Sequence, residues 1–342
     1  MLRTAAILLL NILALCCSAL SQTPAVSESD PVFRVSVDLV VLDAQVLNKK
    51  TYRPVAALKP EDFELLDNGV RQTITSLSQD TLPFSIVFLF DLTDSVRPVL
   101  KPLARGALLA LEHLKPEDEA AVMVYSSSAQ LLQDFTTDHE LIVKAIQKAS
   151  SMESPEAAFF NEGIFQATRQ SAKAEITGSR RVIIWLTDNI PNIPSDEIRW
   201  RYARSLPPDA TVHTQRDTIA ELFKTGAVIC TLLQRSRISD DEFSSRLNKP
   251  SYLLESNMYP PGDVYKYSEQ TGGQVIESTS RKEISEKLAE LIDEIRGRYV
   301  LSYHPSGTLG KNRLHTIQLK MIPEVEKREG KVIVRTRRGY YR

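Results

Sequence analysis

Three stretches of this chain are nearly continuously apolar: Ser85-Ile-Val-Phe-Leu-Phe90, Arg181-Val-Ile-Ile-Trp-Leu-Thr187 and Ala227-Val-Ile-Cys-Thr-Leu-Leu233. A strand with one wet face alternates apolar and polar residues, whereas a strand covered on both faces does not. These runs therefore read as central strands of a parallel sheet. Helical periods separate them. Between Val96 and Leu114, Leu100, Leu103, Ala107, Leu108, Leu111 and Leu114 recur at spacings of three and four, the pattern of an amphipathic helix. Pro98 and Pro102 place its regular part after a tight first turn. His139–Ala149 reads as a helix with Leu141, Ile142, Ala145 and Ile146 inward. Further helices are expected at Asn161–Ala174, Thr214–Lys224, near Asp263–Thr271 and at Arg281–Arg296, and further strands at Ala120–Tyr125, at its neighbour Gln130–Phe135 and at Gln274–Glu277. The alternation predicts an α/β fold with a doubly wound, mostly parallel sheet.

The flanks have different chemistry. Phe33–Asp43 alternates and then becomes continuously apolar, as strands do. Phe63–Leu66, Asn68-Gly69 and Arg71–Thr75 read as a hairpin, because Asn-Gly accepts the positive φ angles of a tight turn. At the other end, Tyr299–Tyr303, His315–Lys320 and Val332–Arg335 are strand-like. The organisation expected is a β-rich region at 31–80, an α/β domain at 83–300 and a β-rich extension at 301–342.

The start of the chain has its own logic. Met1-Leu2-Arg3 is positive, Thr4–Leu15 is almost wholly apolar, and Ala19-x-Ser21 offers small residues ahead of a cut before Gln22. This is the layout of a secretory signal peptide over residues 1–21; the run is short for a span of roughly 20 residues. Polar residues 22–30 form a lead-in. The expected location is exported, periplasmic or secreted, and not integral to a membrane once the signal is cut. Removal of Cys16 and Cys17 leaves Cys230 alone, which rules out an intrachain disulfide and a cysteine-based metal site in the mature chain. A net charge of −1 argues against a nucleic-acid binder.

Two of the buried runs end in carboxylates. The first is followed by Asp91-Leu92-Thr93-Asp94-Ser95, the second by Asp188. In open parallel sheets, ligands gather at the carboxyl ends of strands. Carboxylate and hydroxyl oxygens grouped there suit a hard divalent cation such as Mg²⁺. The structural alternative is that these aspartates accept backbone N–H bonds at strand ends.

Phe88-Leu-Phe-Asp91-Leu-Thr93-Asp-Ser95 resembles the Asp-x-Ser-x-Ser motif of von Willebrand factor A-type domains, with Thr93 in place of the first serine. Val182–Asp188 is similar to the strand whose aspartate completes that family's metal-ion-dependent adhesion site. The likeness covers about residues 83–300. Leu58–Phe63 with Asp67-Asn-Gly69, Thr271-Gly-Gly273, Tyr299–Tyr303 and Arg337–Tyr341 are similar to a bacterial subgroup of A-domain-related proteins abundant in acidobacteria. The resemblance implies that Thr93 and Ser95 supply hydroxyl ligands to Mg²⁺ or Mn²⁺. It implies that Asp91 and Asp188 act through waters or hydroxyls, and that a protein partner's carboxylate fills the open position. One residue departs from the pattern: Ala158 falls where the family has a threonine ligand. Either metal binding is weak, or Glu156 or Asn161 substitutes, or the site is vestigial and the protein is a metal-free structural or assembly component.

Catalysis finds little support. The five histidines form no metal-binding pair, and the chain has no Gly-x-Ser-x-Gly elbow, phosphate loop or dinucleotide fingerprint. The expectation is a binding protein, not an enzyme, with no small-molecule substrate. Tyr340-Tyr341 is expected to close a β core, Lys327-Arg328 and Arg335–Arg338 to lie on solvated strand faces, and Trp185 to be core. Residues 234–262 and the neighbourhood of Trp200 are candidates for partner specificity.

Overall fold

The computed structural model describes residues 39–79, 82–93, 96–126, 128–152, 159–188, 213–234, 264–278, 283–306 and 312–342. The signal peptide, the lead-in, the start of the expected first strand, Ser95, Glu156, Ala158, Trp200, most of 234–262 and Asp263 lie outside these residues.

Four strands come first: β1 (Val40–Asn48), β2 (Phe63–Asp67), β3 (Val70–Gln72) and β4 (Ile74–Gln79). The α/β alternation follows as β5 (Phe84–Asp91), α1 (Arg97–Leu111), β6 (Glu119–Tyr125), β7 (Ala129–Thr136), α2 (His139–Ser151), α3 (Phe160–Ser171) and β8 (Arg180–Thr187). It continues through α4 (Gln215–Thr225), β9 (Val228–Gln234), α5 (Val264–Thr271), β10 (Val275–Ser278) and α6 (Glu283–Arg296). The chain closes with β11 (Tyr299–Tyr303), β12 (Leu314–Met321), α7 (Pro323–Glu329), β13 (Val332–Arg335) and β14 (Gly339–Tyr341).

The central sheet has the order β10-β9-β8-β5-β6-β7. Its first five strands are parallel, and β7 is antiparallel to β6. Alternate residues of each strand feed two cores. On one face Ile86, Phe88, Phe90, Val182, Ile184 and Cys230 pack under α1, α2 and α6. On the other, Val87, Leu89, Ile183, Trp185 and Ile229 pack under α3, α4 and α5. This is the doubly wound, mostly parallel architecture expected from the apolar runs.

The flanking strands do not stay with their sequence neighbours. They interleave into two antiparallel sheets, β13-β1-β11-β4 and β14-β12-β2-β3, each holding strands from both ends of the described chain. The two sheets enclose one core that includes Leu42, Phe63, Leu65, Tyr299, Leu301, Tyr303, Ile317 and Tyr340. Asn68 (φ 49°) and Gly69 (φ 79°) make the expected tight turn. The second arm of the hairpin is shorter than expected: β3 ends at Gln72, and Ile74 already pairs with β11 in the other sheet.

Four expectations need correction. Leu141 is 40% exposed, because only Ile142, Ala145, Ile146 and Ala149 of α2 face the sheet. The regular part of α1 begins before both prolines and runs through Pro102. Pro102 offers no N–H to the preceding turn, and burial of Val99, Leu100 and Leu103 on either side of it holds the helix in place. Lys327-Arg328 lie on a helix instead of a strand: Pro323 sits in its first turn, Glu324 and Glu326 lie near its start, and the two cations lie in its last turn, which suits the dipole. Arg335 and Arg337 are half-buried. Arg335 donates to Gln45 and Gln274 (3.0 Å each), and Arg337 donates to the carbonyl of Val41 (2.7 Å).

Candidate functional site

The carboxyl ends of β5, β6 and β8 meet at Asp91. Register puts Asp91 opposite Tyr125 and brings Phe90 level with Leu186, so Thr187 arrives beside the carboxylate. Asp91 is fully buried. Its Oδ1 accepts the backbone N–H of Thr93 (2.9 Å) and the Thr93 hydroxyl (2.7 Å). Its Oδ2 accepts the hydroxyls of Tyr125 and Thr187 (2.8 Å each). Tyr125 in turn accepts the indole N–H of Trp185 (2.9 Å). The aspartate thus ties three parallel strands and its own loop together at one point.

Burial pushes the Asp91 carboxyl above its ordinary range, and the donors from Thr93, Thr187 and Tyr125 offset this only in part. The Tyr125 hydroxyl is raised as well, by burial first and then by the Asp91 charge, which keeps it a donor. A buried carboxylate that is costly to ionise is stabilised by a nearby cation.

Of the four residues expected at a metal, the structure describes three. Asp91, Thr93 and Asp188 are all buried, at 0, 0 and 4% exposure, and lie at adjacent strand ends. Ser95 lies outside the described residues, as do Ala158 and Glu156. Asn161 does not turn to this loop: its Oδ1 accepts the Tyr267 hydroxyl (2.6 Å) and its carbonyl accepts Thr218 (3.2 Å). Among the described residues there is no group of three or more His, Cys, Asp or Glu side chains placed to hold a metal. The donor set is instead hydroxyl-rich. A hydroxyl that donates to a carboxylate keeps lone pairs for a cation, so Thr93 fits a hard ion with Asp91 behind it, and Thr187 holds the second oxygen of Asp91 in place.

Tyr125, Thr187 and Trp185 are the members that sequence reasoning missed as site residues. Thr187 could have been found, since it closes β8 immediately before Asp188. Tyr125 needs the strand register, which no local pattern contains.

Gly163 on α3 makes room for this arrangement. A Cβ there would lie 2.6 Å from Cγ and 2.8 Å from Cδ2 of the Tyr125 ring. Gly163→Ala is therefore expected to cost about 1–3 kcal/mol through overpacking and to shift Tyr125 from Asp91. Thermal melts with tryptophan emission as a second readout test this; wild-type values in both would contradict it.

Helix α1 leaves the same loop with unusual charge placement. Its N-cap, Val96, makes no side-chain cap bond, and its first turn has Arg97 and no acid. Arg97, Lys101 and Arg105 are exposed at successive intervals of four. Like charges so spaced cost about 0.2–0.5 kcal/mol per pair, and a cation in the first turn opposes the helix dipole by about 0.3–1 kcal/mol. The helix forms because its other face is buried.

Residues 86–190 match the family model described as von Willebrand factor type A domain. Comparison with curated proteins gives no match. Among solved structures the chain is similar to a von Willebrand factor type A protein from Catenulispora acidiphila, with 13% identity over 79% of this chain and 72% of that one and a TM-score of 0.43. It is similar to the vWF domain of the type V pili tip protein Mfa5 from Porphyromonas gingivalis (11% identity, 67% of this chain, 99% of that one, TM-score 0.40). It is also similar to an aerotolerance-related membrane protein from Bacteroides fragilis (12% identity, 62% and 99%, TM-score 0.37).

Proposed function

Residues 86–190 belong to a von Willebrand factor type A domain, and from that premise we propose that this protein is an exported binding module that holds a partner protein at the carboxyl edge of its central sheet. The observation that carries the reading is the buried Asp91, whose two oxygens orient the hydroxyls of Thr93 and Thr187 beside Asp188. Mg²⁺ or Mn²⁺ would be held by the Thr93 and Ser95 hydroxyls, with Asp91 and Asp188 acting through hydroxyls and water. When bound, the ion supplies a positive centre for a partner carboxylate. Asp91 fixes the hydroxyl rotamers, and Tyr125 and Trp185 fix Asp91. The reading is of recognition: among the described residues of the arrangement, no nucleophile is paired with a base.

Export rests on the signal-peptide layout of residues 1–21. Among the described residues, no helix is long and apolar enough to cross a membrane.

Calorimetric titration of the full chain with Mg²⁺ and Mn²⁺ tests the metal. Binding is expected for wild type and should be abolished in Asp188→Ala and Asp91→Asn, each first checked for folding by circular dichroism. Equal heats in wild type and a folded variant would sink the reading. The second reading, a metal-free assembly protein, is favoured by Ala158 at the expected threonine position. It requires no heat from wild type and new affinity in Ala158→Thr.

A further inference from the structure

The face of the domain formed by α1 and α2 carries a pattern that metal binding does not use. Both helices pack on the same side of the central sheet. α1 descends from the Asp91 loop. β7 runs antiparallel to its neighbour β6, so α2 climbs back to the same edge, where the Phe159 N–H donates to the carbonyl of Ser126 just beyond β6 (2.9 Å). Arg97, Lys101 and Arg105 on α1 and Lys144 and Lys148 on α2 are all exposed. α1 contains no acid, and Glu140 at the far start of α2 is the one acid within either helix. At that far end two leucines are also exposed, Leu109 at 37% and Leu141 at 40%.

We propose that this face docks a short acidic, leucine-contacting segment of the partner protein, running away from the candidate metal site along the exposed surfaces of α1 and α2. This role rests on the partner-binding reading of the adjoining sheet edge. Charge complementarity identifies the occupant: Lys101, Arg105, Lys144 and Lys148, four exposed cations over two helices, attract a run of carboxylates. The exposed leucines favour a peptide over a nucleic acid. On the other side of α1, α6 presents exposed Glu283, Glu286, Glu290 and Asp293. That acidic flank confines the positive potential to α1 and α2 and repels any polyanion or anionic membrane broad enough to reach it. The cost of placing one cation in the first turn of an uncapped helix, and two more in line with it, then has a purpose in recognition.

The test uses the full chain and a fluorescein-labelled oligo-glutamate peptide with two leucines at one end, followed by anisotropy in EDTA and in Mg²⁺. The Lys101→Glu/Arg105→Glu variant is expected to bind about tenfold more weakly than wild type in both buffers. Lys327→Glu, on the exposed side of α7, should bind as wild type does. Any gain in affinity from Mg²⁺ should persist in the double variant and vanish in Asp188→Ala. Unchanged affinity in the double variant, no binding by wild type, or tighter binding of phosphatidylglycerol vesicles or single-stranded DNA would overturn the proposal. Loss in the double variant with no gain from Mg²⁺ in wild type would support the docking face while overturning the metal-bridged reading.

Discussion

Replacing Asp67 with alanine is expected to lower the free energy of unfolding by about 3–5 kcal/mol. Asp67 ends β2 and is 5% exposed. Its Oδ1 accepts the His315 ring N–H (2.8 Å), and its Oδ2 accepts the hydroxyls of Tyr303 and Tyr340 (2.8 Å each). These partners come from β11, β12 and β14, so one carboxylate joins the two flanking sheets. Alanine would strand three buried donors at once, and each lost partner exposes the full cost of burying a polar group. Urea denaturation measures the effect; a loss under about 1 kcal/mol would contradict it.

The same cluster sets an alkaline limit. Burial raises both tyrosine hydroxyls, Tyr340 from 10.0 to about 12 and Tyr303 further, with Asp67 adding to each. A folded pKa above the unfolded value gives stability that is present below the unfolded value, here near 10.0, and lost as pH rises through the folded one. Stability should therefore decline between these values, and less steeply in Tyr340→Phe.

Gly273→Ala is expected to be at least as damaging, at about 3 kcal/mol or more. A Cβ on Gly273 would stand 1.7 Å from the carbonyl oxygen and 2.6 Å from the carbonyl carbon of Ile229, where no side-chain rotation can relieve the clash. The contact is close because the Thr271-Gly-Gly turn is bonded to β9: Thr271 Oγ1 accepts the Ile229 N–H (3.0 Å), and the Thr231 N–H donates to the carbonyl of Gln274 (2.9 Å). Moving the turn would detach β10 from the sheet. Gly178→Ala is the control. Gly178 has φ +78°, but a Cβ there would meet nothing within 4 Å, so the substitution should cost only the backbone strain of about 1–2 kcal/mol. Similar melting temperatures for the two variants would mean that the close approach to β9 does not matter.

The sequence alone determined the parts of this protein that depend on local pattern. The continuous apolar runs dictated buried parallel strands, the spacings of three and four dictated their covering helices, and the position of Asp91 and Asp188 at strand ends located the candidate site. Asn68-Gly69 dictated its own turn through φ. Tertiary structure decided whatever depends on which strand lies beside which. Alternation along β1 or β12 says that one face is buried but not against what, so the interleaving of the first and last strands into shared sheets left no local trace. Asp67 resembled any turn aspartate until β11, β12 and β14 brought it donors from 236 to 273 residues away. Leu141 satisfied the helical period and still faces solvent, because the period fixes a stripe on α2 and only docking against the sheet fixes the width of that stripe. The Asp91 site shows the same division. Its carboxylate was legible because strand ends are written in hydropathy, whereas Tyr125 and Thr187 reach it only through inter-strand register, which side-chain packing across the whole sheet selects.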